Sequence, residues 1–324
     1  MPSTQPRRQV RVPSVADLDR AWEVVRARLR PTPLDHGGGG NGMGAEPALK
    51  LDSLQPTGAF KVRGALSAMA ALEANRPVVA ASAGNHGLGV AFAARALGRP
   101  VTIVVPGNAS RAKVDQLRAL GVRLVEVGQS YDEAERHALD LAAEGAHFLS
   151  PYNDPDVIGG QGTIGPELAG QLDGPLTVVC GVGGGGLAAG LGLWASTRTD
   201  VRVVGVEAEV STALSASVRA GEWVPVEVGS TVADGLSGNI EIDSVTIGLV
   251  SEYVHQLVTV SEAELREAMR YLVRSRGVVA EGAGAAPVAA LLAGKVDVRG
   301  TPVAVVTGRN IALPVLTELL GAPG

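Results

Sequence analysis

The sequence predicts an α/β protein whose strands run mainly parallel and are covered by helices. Three observations predict it. From Val78 onward, short apolar runs alternate with segments of helical periodicity, the order expected when parallel strands are joined by helical crossovers. The runs are nearly all-apolar rather than alternating, as strands covered on both faces require. Three of them end in glycine-containing turns that read as leading from strand to helix: Ser82-Ala83-Gly84-Asn85-His86-Gly87, Gly183-Gly184-Gly185-Gly186-Leu187 and Thr307-Gly308-Arg309-Asn310. In an open parallel sheet such turns gather at the carboxyl ends of the strands, where ligands bind.

Taken in order, Ser14 and Asp17 make a helix start. Leu18, Trp22, Val25 and Leu29 follow on one face until Pro31 and Pro33 stop the helix. Residues 1–13 read as a poorly ordered tail. Residues 36–44 hold six glycines in nine positions, and the run at 37–40 follows no strand and opens no helix, so it reads as a flexible loop. A Gly58-Ala59-Phe60 bend then leads through Lys61 into an alanine-rich helix. Strands are expected at 78–81, 101–105, 122–127, 176–180, 202–206, 256–260 and 302–306. Helices are expected at 109–120, 131–144, 186–196, 261–275 and 284–293. No internal repeat is visible, and nothing in the sequence alone marks a domain boundary.

Composition narrows the function. A net charge of −5 without a dense basic tract speaks against a nucleic-acid partner. Cys180 is the single cysteine, which excludes an intramolecular disulfide, fits a reducing cytoplasm and, inside an apolar run, reads as core. No apolar run reaches the roughly 18 residues of a membrane span, and the start of the chain lacks the apolar stretch of a secretory signal. The five histidines show no metal-ligand spacing.

Four lysines stand against 24 arginines. Lys61, at a helix start behind a Gly-Ala-Phe bend, is placed where partial burial would disfavour the ammonium and make the amine a nucleophile. A solvated charge is the plainer reading of that context. Lys50, Lys113 and Lys295 look ordinary. The tetraglycine between an apolar strand and an Ala/Leu helix offers converging N–H groups at the positive end of a helix, which suits a phosphate. A Cβ there would restrict φ and block the approach. Glycines alone would otherwise be a flexible turn.

In this order, the lysine block and the three turns resemble the pyridoxal-phosphate enzymes of the tryptophan-synthase-β type, or fold type II. The blocks Ile158-Gly159-Gly160-Gln161-Gly162-Thr163-Ile164, Val232-Ala233-Asp234-Gly235 and Glu281-Gly282-Ala283-Gly284-Ala285 add to it. Within that group the sequence is most similar to threonine/serine dehydratases, with serine racemase as a near relative. The resemblance runs from Thr32 to Leu320. It implies two lobes, each a mainly parallel sheet covered by helices. The small lobe, at 75–149, would be inserted into a large cofactor-binding lobe made of 1–74 and 150–324. It implies that Lys61 carries pyridoxal phosphate and, once freed by substrate, takes the Cα proton. Phe60 would flank the ring, Asn85 would bond its phenolic oxygen, and Gly183, Gly184, Gly185, Gly186 and Leu187 would hold the phosphate. Gly235 and Ser237 would lie near the ring edge. Ser82, Ala83, Gly84 and Asn85 would receive the substrate carboxylate, with His86 in support. Glu281 would touch the ring, order the loop or be a solvated helix-start carboxylate. Thr307 would face the pyridine nitrogen, where a hydroxyl leaves the ring a weaker electron sink and favours prompt β-elimination over transamination.

The reaction so implied converts L-threonine or L-serine to 2-oxobutyrate or pyruvate and ammonia. The enzyme would be a cytoplasmic homodimer or homotetramer with a small amino-acid substrate and no membrane partner. Ala83 stands where racemases carry a serine, so racemisation is expected to be poor. Ala59 and Asp52 replace a common serine and glutamate. Ser211 and Ala213 stand where racemases place a carboxylate, so no divalent metal is expected near Glu207; a monovalent cation held by carbonyls stays open. Arg309 departs from the usual glycine or alanine. It keeps open dehydration of another β-hydroxy amino acid, such as 3-hydroxyaspartate or an ectoine-degradation compound, beside serine racemase. A nucleotide-binding sensory module is the rival of another class, and it needs no lysine-bound chromophore. With the chain ending near residue 324, the resemblance leads to the expectation of a catabolic or general dehydratase without an appended regulatory domain.

Overall fold

The computed structural model describes residues 8–37 and 46–321. The glycines at 38–40, expected in a flexible loop, lie outside the described residues, as do residues 1–7. The chain opens with α1 (Val15–Arg26), the edge strands β1 (Leu34–Asp35) and β2 (Ala48–Lys50), and α2 (Lys61–Ala71). There follow β3 (Val78–Ala81), α3 (Asn85–Leu97), β4 (Val101–Val105), α4 (Arg111–Ala119), β5 (Arg123–Glu126), α5 (Tyr131–Ala143) and β6 (His147–Phe148). Next come α6 (Pro155–Gly162), α7 (Ile164–Ala169), β7 (Leu176–Gly181), α8 (Gly186–Ala195), β8 (Val201–Ala208) and α9 (Ala213–Ala220). The described chain closes with α10 (Val245–Tyr253), β9 (Gln256–Val260), α11 (Glu262–Arg276), α12 (Gly282–Leu292), β10 (Thr301–Val305) and α13 (Leu313–Gly321).

Two sheets result, ordered β1-β2-β10-β7-β8-β9 and β5-β4-β3-β6. Among the described strands, β1 pairs with β2 antiparallel and the other pairings are parallel. Strand β7 shows why such strands read as unbroken apolar runs. Val178 and Cys180 pack with Leu191 and Trp194 of α8, while Val179 points the other way against Met269 and Ala286 of α11 and α12. In β3, Val78 and Ala80 face α2 and α3, and Val79 and Ala81 face α5. Each fully buried aliphatic side chain of this kind contributes about 1.5–3 kcal/mol. Cys180 belongs to this core, and burial pushes its thiol up to about 12. No described helix is long and apolar enough to cross a membrane.

Every expected strand is present. Strands β1, β2 and β6 were not expected, because two or three residues are too few to show a period. Helix α6 was not expected either. It has a good start, since the Asp154 side chain accepts from the Asp156 and Val157 N–H groups and Pro155 opens it. Its glycines, however, are poor helix formers. They are there for contact: a Cβ on Gly160 would stand 2.7 Å from the Arg63 carbonyl oxygen on α2. One on Gly162 would stand 2.5 Å from the Gly190 carbonyl oxygen on α8, and one on Gly159 3.2 Å from that of Asp17 on α1.

Three expectations are corrected. Helix α1 ends at Arg26, not at the prolines, and Leu29 is buried from the turn that follows. Residues 8–13 are no free tail. Arg8 pairs with Glu241 at 3.0 Å and lies 4.9 Å from the Phe148 ring centroid, and Arg11 pairs with Asp17 at 2.7 Å. That bond, with the Ser14 N–H, holds the Asp17 carboxyl well below the usual range despite its burial. Lys50 is not an ordinary surface lysine but is fully buried. Its Nζ donates to Glu167 at 2.7 Å, Gln171 at 2.8 Å and the Thr32 carbonyl at 2.8 Å. Arg63 completes the cluster with a two-toothed pair to Asp52 at 2.7 and 2.9 Å and a bond to Glu167 at 2.7 Å. Two cations and two anions thus clamp the back of α2, through Arg63 two residues from Lys61. Burial, aided by the Arg63 charge, lowers the proton affinity of Lys50 despite its carboxylate partners, whereas for Arg63 the two carboxylates outweigh burial.

Candidate active site

The turns after β3, β7 and β10 open into one cleft of about 1020 Å³. It is lined by Phe60, Lys61, Ser82, Ala83, Gly84, Asn85, His86, the glycines 183–186, Leu187, Gly235, Ser237, Glu281 and Thr307, which brings together every residue singled out for cofactor or substrate. The third turn differs in form from expectation: after β10 the chain runs irregularly to α13 rather than directly into a helix.

Lys61 is the first residue of α2, and its Nζ donates to the Pro151 carbonyl at 2.8 Å and lies 5.0 Å from the Phe60 ring centroid. Burial lowers its pKa to about 8, so about a tenth of the amine is neutral at pH 7, far more than for a free lysine. The bend before it is held from the opposite turn. The Arg309 N–H donates to the Gly58 carbonyl at 2.9 Å and the Phe60 N–H to that of Thr307 at 2.9 Å. The Arg309 side chain itself is exposed.

Asn85 joins three segments. Its amide donates to Glu281 at 2.6 Å and accepts from Asn310 at 2.7 Å, and Asn310 also donates to the Thr57 carbonyl at 2.9 Å. Glu281 is therefore no solvated helix-start carboxylate. It is 7% exposed, and burial, opposed by the Asn85 bond, raises its pKa to about 7. The His86 ring lies 2.8 Å from the Leu149 carbonyl, and burial with the nearby Lys61 charge lowers its pKa to about 3, which leaves it neutral.

The glycine loop is tightly walled. Gly185 caps α8 at φ +84, a left-handed conformation that favours glycine. A Cβ on Gly184 would overlap the Tyr152 ring, and one on Gly186 would stand 2.7 Å from Gln161 Oε1. Tyr152, half-buried under the loop, accepts from the Glu241 N–H at 2.7 Å, and desolvation drives its phenol well above the ordinary value. Neither Tyr152 nor Pro151 stood out in the sequence; both belong to the link after β6 and reach the site only through tertiary packing. Tyr131, Glu135, Arg136, Trp223 and Asn239 at the mouth were likewise unmarked. Lys113 of α4 reaches across that mouth to Asp234 at 3.1 Å, both side chains exposed. Glu207, buried, is engaged with the start of α9: it accepts from the Leu214 N–H at 3.0 Å and from the Ser215 hydroxyl and N–H. Among the described residues, no group of three or more His, Cys, Asp or Glu is arranged to hold a metal.

An amine of lowered proton affinity in one cleft with a glycine loop at a helix start is the site of a cofactor-dependent α/β enzyme. The sequence profile of the pyridoxal-phosphate dependent enzymes matches residues 25–308, and the chain belongs to that family. It is 44% identical over 283 residues to the L-threonine ammonia-lyase of Thermotoga maritima, covering 86% of this chain and 70% of that protein. It is 35% identical over 309 residues to the β-hydroxyaspartate dehydratase of Paracoccus denitrificans, covering 93% of this chain and 98% of that protein. The crystal structure of the T.th. threonine deaminase superimposes with a TM-score of 0.84 at 36% identity, covering 93% of this chain and 99% of that one.

The residues present fit pyridoxal phosphate. An amine whose neutral form is accessible suits the aldehyde, and a side chain on Gly184 or Gly186 of the loop at the start of α8 would collide with Tyr152 or Gln161. Gly184→Val is accordingly expected to weaken cofactor binding by at least about tenfold, because the side chain collides with Tyr152 and overpacking distorts the loop by about 1–3 kcal/mol. Titration of the cofactor by visible absorbance checks this; wild-type affinity would refute the assignment of the loop.

Proposed function

We propose that the protein is a pyridoxal-phosphate-dependent ammonia-lyase that converts L-threonine and L-serine to 2-oxobutyrate and pyruvate with release of ammonia. The observation that carries this reading is Lys61, an amine lowered to about 8, in one cleft with the α8 glycine loop and Thr307. The likeness to a threonine ammonia-lyase supports it. Bound pyridoxal phosphate supplies an aldehyde that captures the amino group and a ring that spreads charge from Cα. The glycines 183–186 anchor the phosphate, and Phe60 and Thr307 border the ring, Thr307 with a neutral hydroxyl. Asn85, braced by Glu281 and Asn310, orients the ring through its oxygen. The first N–H groups of α3, after Ser82 and Gly84, receive the substrate carboxylate. Lys61 would take the Cα proton, and the β-hydroxyl would leave with a proton as water; hydrolysis of the resulting enamine would give the 2-oxo acid and ammonia. On this reading residues 75–149, which hold the four-stranded sheet, are the small lobe, and 1–74 with 150–324 the cofactor-binding lobe.

A second reading, dehydration of 3-hydroxyaspartate, is favoured by Arg136 and Arg309, which line the same cleft and can take a second carboxylate. A screen of β-hydroxy amino acids for 2-oxo acid and ammonia separates the two. L-threonine and L-serine are expected to turn over faster than 3-hydroxyaspartate, with D-serine formation slower than pyruvate formation because Ala83 offers no hydroxyl. Turnover of 3-hydroxyaspartate alone would sink the first reading, and rapid D-serine formation would sink the assignment of Ala83.

A further inference from the structure

We propose that Gln161 is a positioning residue for Lys61: by holding the Pro151 carbonyl it fixes where the lysine amine rests relative to the glycine loop. The inference rests on the reading of Lys61 given above. Two donors converge on the Pro151 carbonyl oxygen, Lys61 Nζ at 2.8 Å and Gln161 Nε2 at 3.0 Å. A carbonyl oxygen has two lone pairs, so the donor that occupies one decides the direction left for the other. Gln161 is fully buried on α6, between Gly160 and Gly162, which lie against α2 and α8. Its other end, Oε1, is buried without a hydrogen-bond partner and faces Gly186, the first residue of α8. One side chain thus spans from the carbonyl that parks Lys61 to the loop assigned to the phosphate.

The unpartnered oxygen is the informative part. A buried carboxamide with an unmet acceptor is less favourable than a hydrocarbon of the same shape. Methionine would fill the space without that penalty, so packing alone does not account for glutamine. What methionine lacks is the donor on Pro151. The bond also fixes the orientation of the amide, since a half-turn would set Oε1 against the carbonyl oxygen.

The test uses the holoenzyme with Gln161→Met and Gln161→Glu. Borohydride fixation of the wild-type cofactor comes first; a label on another lysine would remove both readings. Cofactor release on dilution is then followed by visible absorbance, with kcat and KM for L-threonine. The Met variant is expected to release cofactor about fivefold to tenfold faster and to lose kcat by a similar factor at unchanged KM, the size of one lost hydrogen bond. The Glu variant is read at about pH 5.5, where a buried carboxyl keeps its proton and can donate to Pro151, and at about pH 8.5, where it cannot. It should retain cofactor like wild type in the first case and worse than the Met variant in the second. The ionisable neighbours, Lys61 on the shared carbonyl, Tyr152 beside Gly186 and Arg63 on the facing turn of α2, are common to all three proteins, so the comparison at each pH isolates residue 161. A Met variant with a lower melting temperature but wild-type release and kcat would reduce Gln161 to packing. A Glu variant no better than Met at the lower pH would remove the hydrogen-bond argument.

Discussion

Lys61→Ala is expected to lower ammonia release from L-threonine by about a thousandfold or more, the upper range for removal of a positioned base. The loss should be in kcat, because the glycine loop still binds the cofactor phosphate. The same assignment sets a pH dependence. The base must be neutral, and burial lowers the Lys61 pKa to about 8. Wild-type kcat should therefore rise as pH rises toward that value and level off above it. Lys61→Arg should be as inactive as the alanine variant, since guanidinium stays protonated across this range. Borohydride reduction followed by peptide mass spectrometry should place the cofactor on Lys61 in the wild type. An alanine variant within tenfold of wild type, or a label on Lys50, Lys113 or Lys295, would overturn the assignment.

Arg63→Met is expected to destabilise the fold by about 3–5 kcal/mol, the cost of removing one member of a buried ionic group and leaving its partners uncompensated. Asp52 would keep the Thr32 hydroxyl at 2.8 Å, while Glu167 would keep Lys50 at 2.7 Å. Against a typical total stability of about 5–15 kcal/mol, such a loss is a large fraction. Arg63→Lys should not rescue it, because an ammonium cannot reproduce the two-toothed pair with Asp52. Urea denaturation of wild type and variants reads the effect; an unchanged midpoint for Arg63→Met would show that the cluster adds nothing.

Much of this protein was legible where the signal is local. The strands buried on both faces announce themselves as unbroken apolar runs, and the turns after β3 and β7 carry their small residues next to one another. Lys61 could be singled out because a bend and a helix start flank it directly. What escaped depends on residues distant in the chain. Lys50 looks ordinary because Glu167, 117 positions away, is invisible beside it. Glu281 was left open because only its 2.6 Å bond to Asn85 shows that it is buried and braced. Tyr152 and Pro151 carry no motif, and their importance appears only when Gly184 is seen to lie against the tyrosine ring and Lys61 against the carbonyl. Residues 8–13 looked like a tail because Arg8 finds Glu241 across the fold.

The glycines of α6 bear on how the enzyme can be altered without harm. Replacing helical glycine by alanine commonly raises stability by about 0.4–1 kcal/mol through the lost freedom of the unfolded chain. At Gly160 and Gly162 that rule reverses, since the added methyl would stand 2.7 and 2.5 Å from main-chain oxygens of Arg63 and Gly190. A thermostabilisation campaign guided by helix propensity would choose these positions early and lose the fold there. The same contact of main chain on main chain makes the spacing between the Lys61 helix and the α8 helix a property of backbone thickness. Neutral drift among the surrounding aliphatic side chains can loosen or tighten the grip on those helices, but it leaves the gap between them where it is.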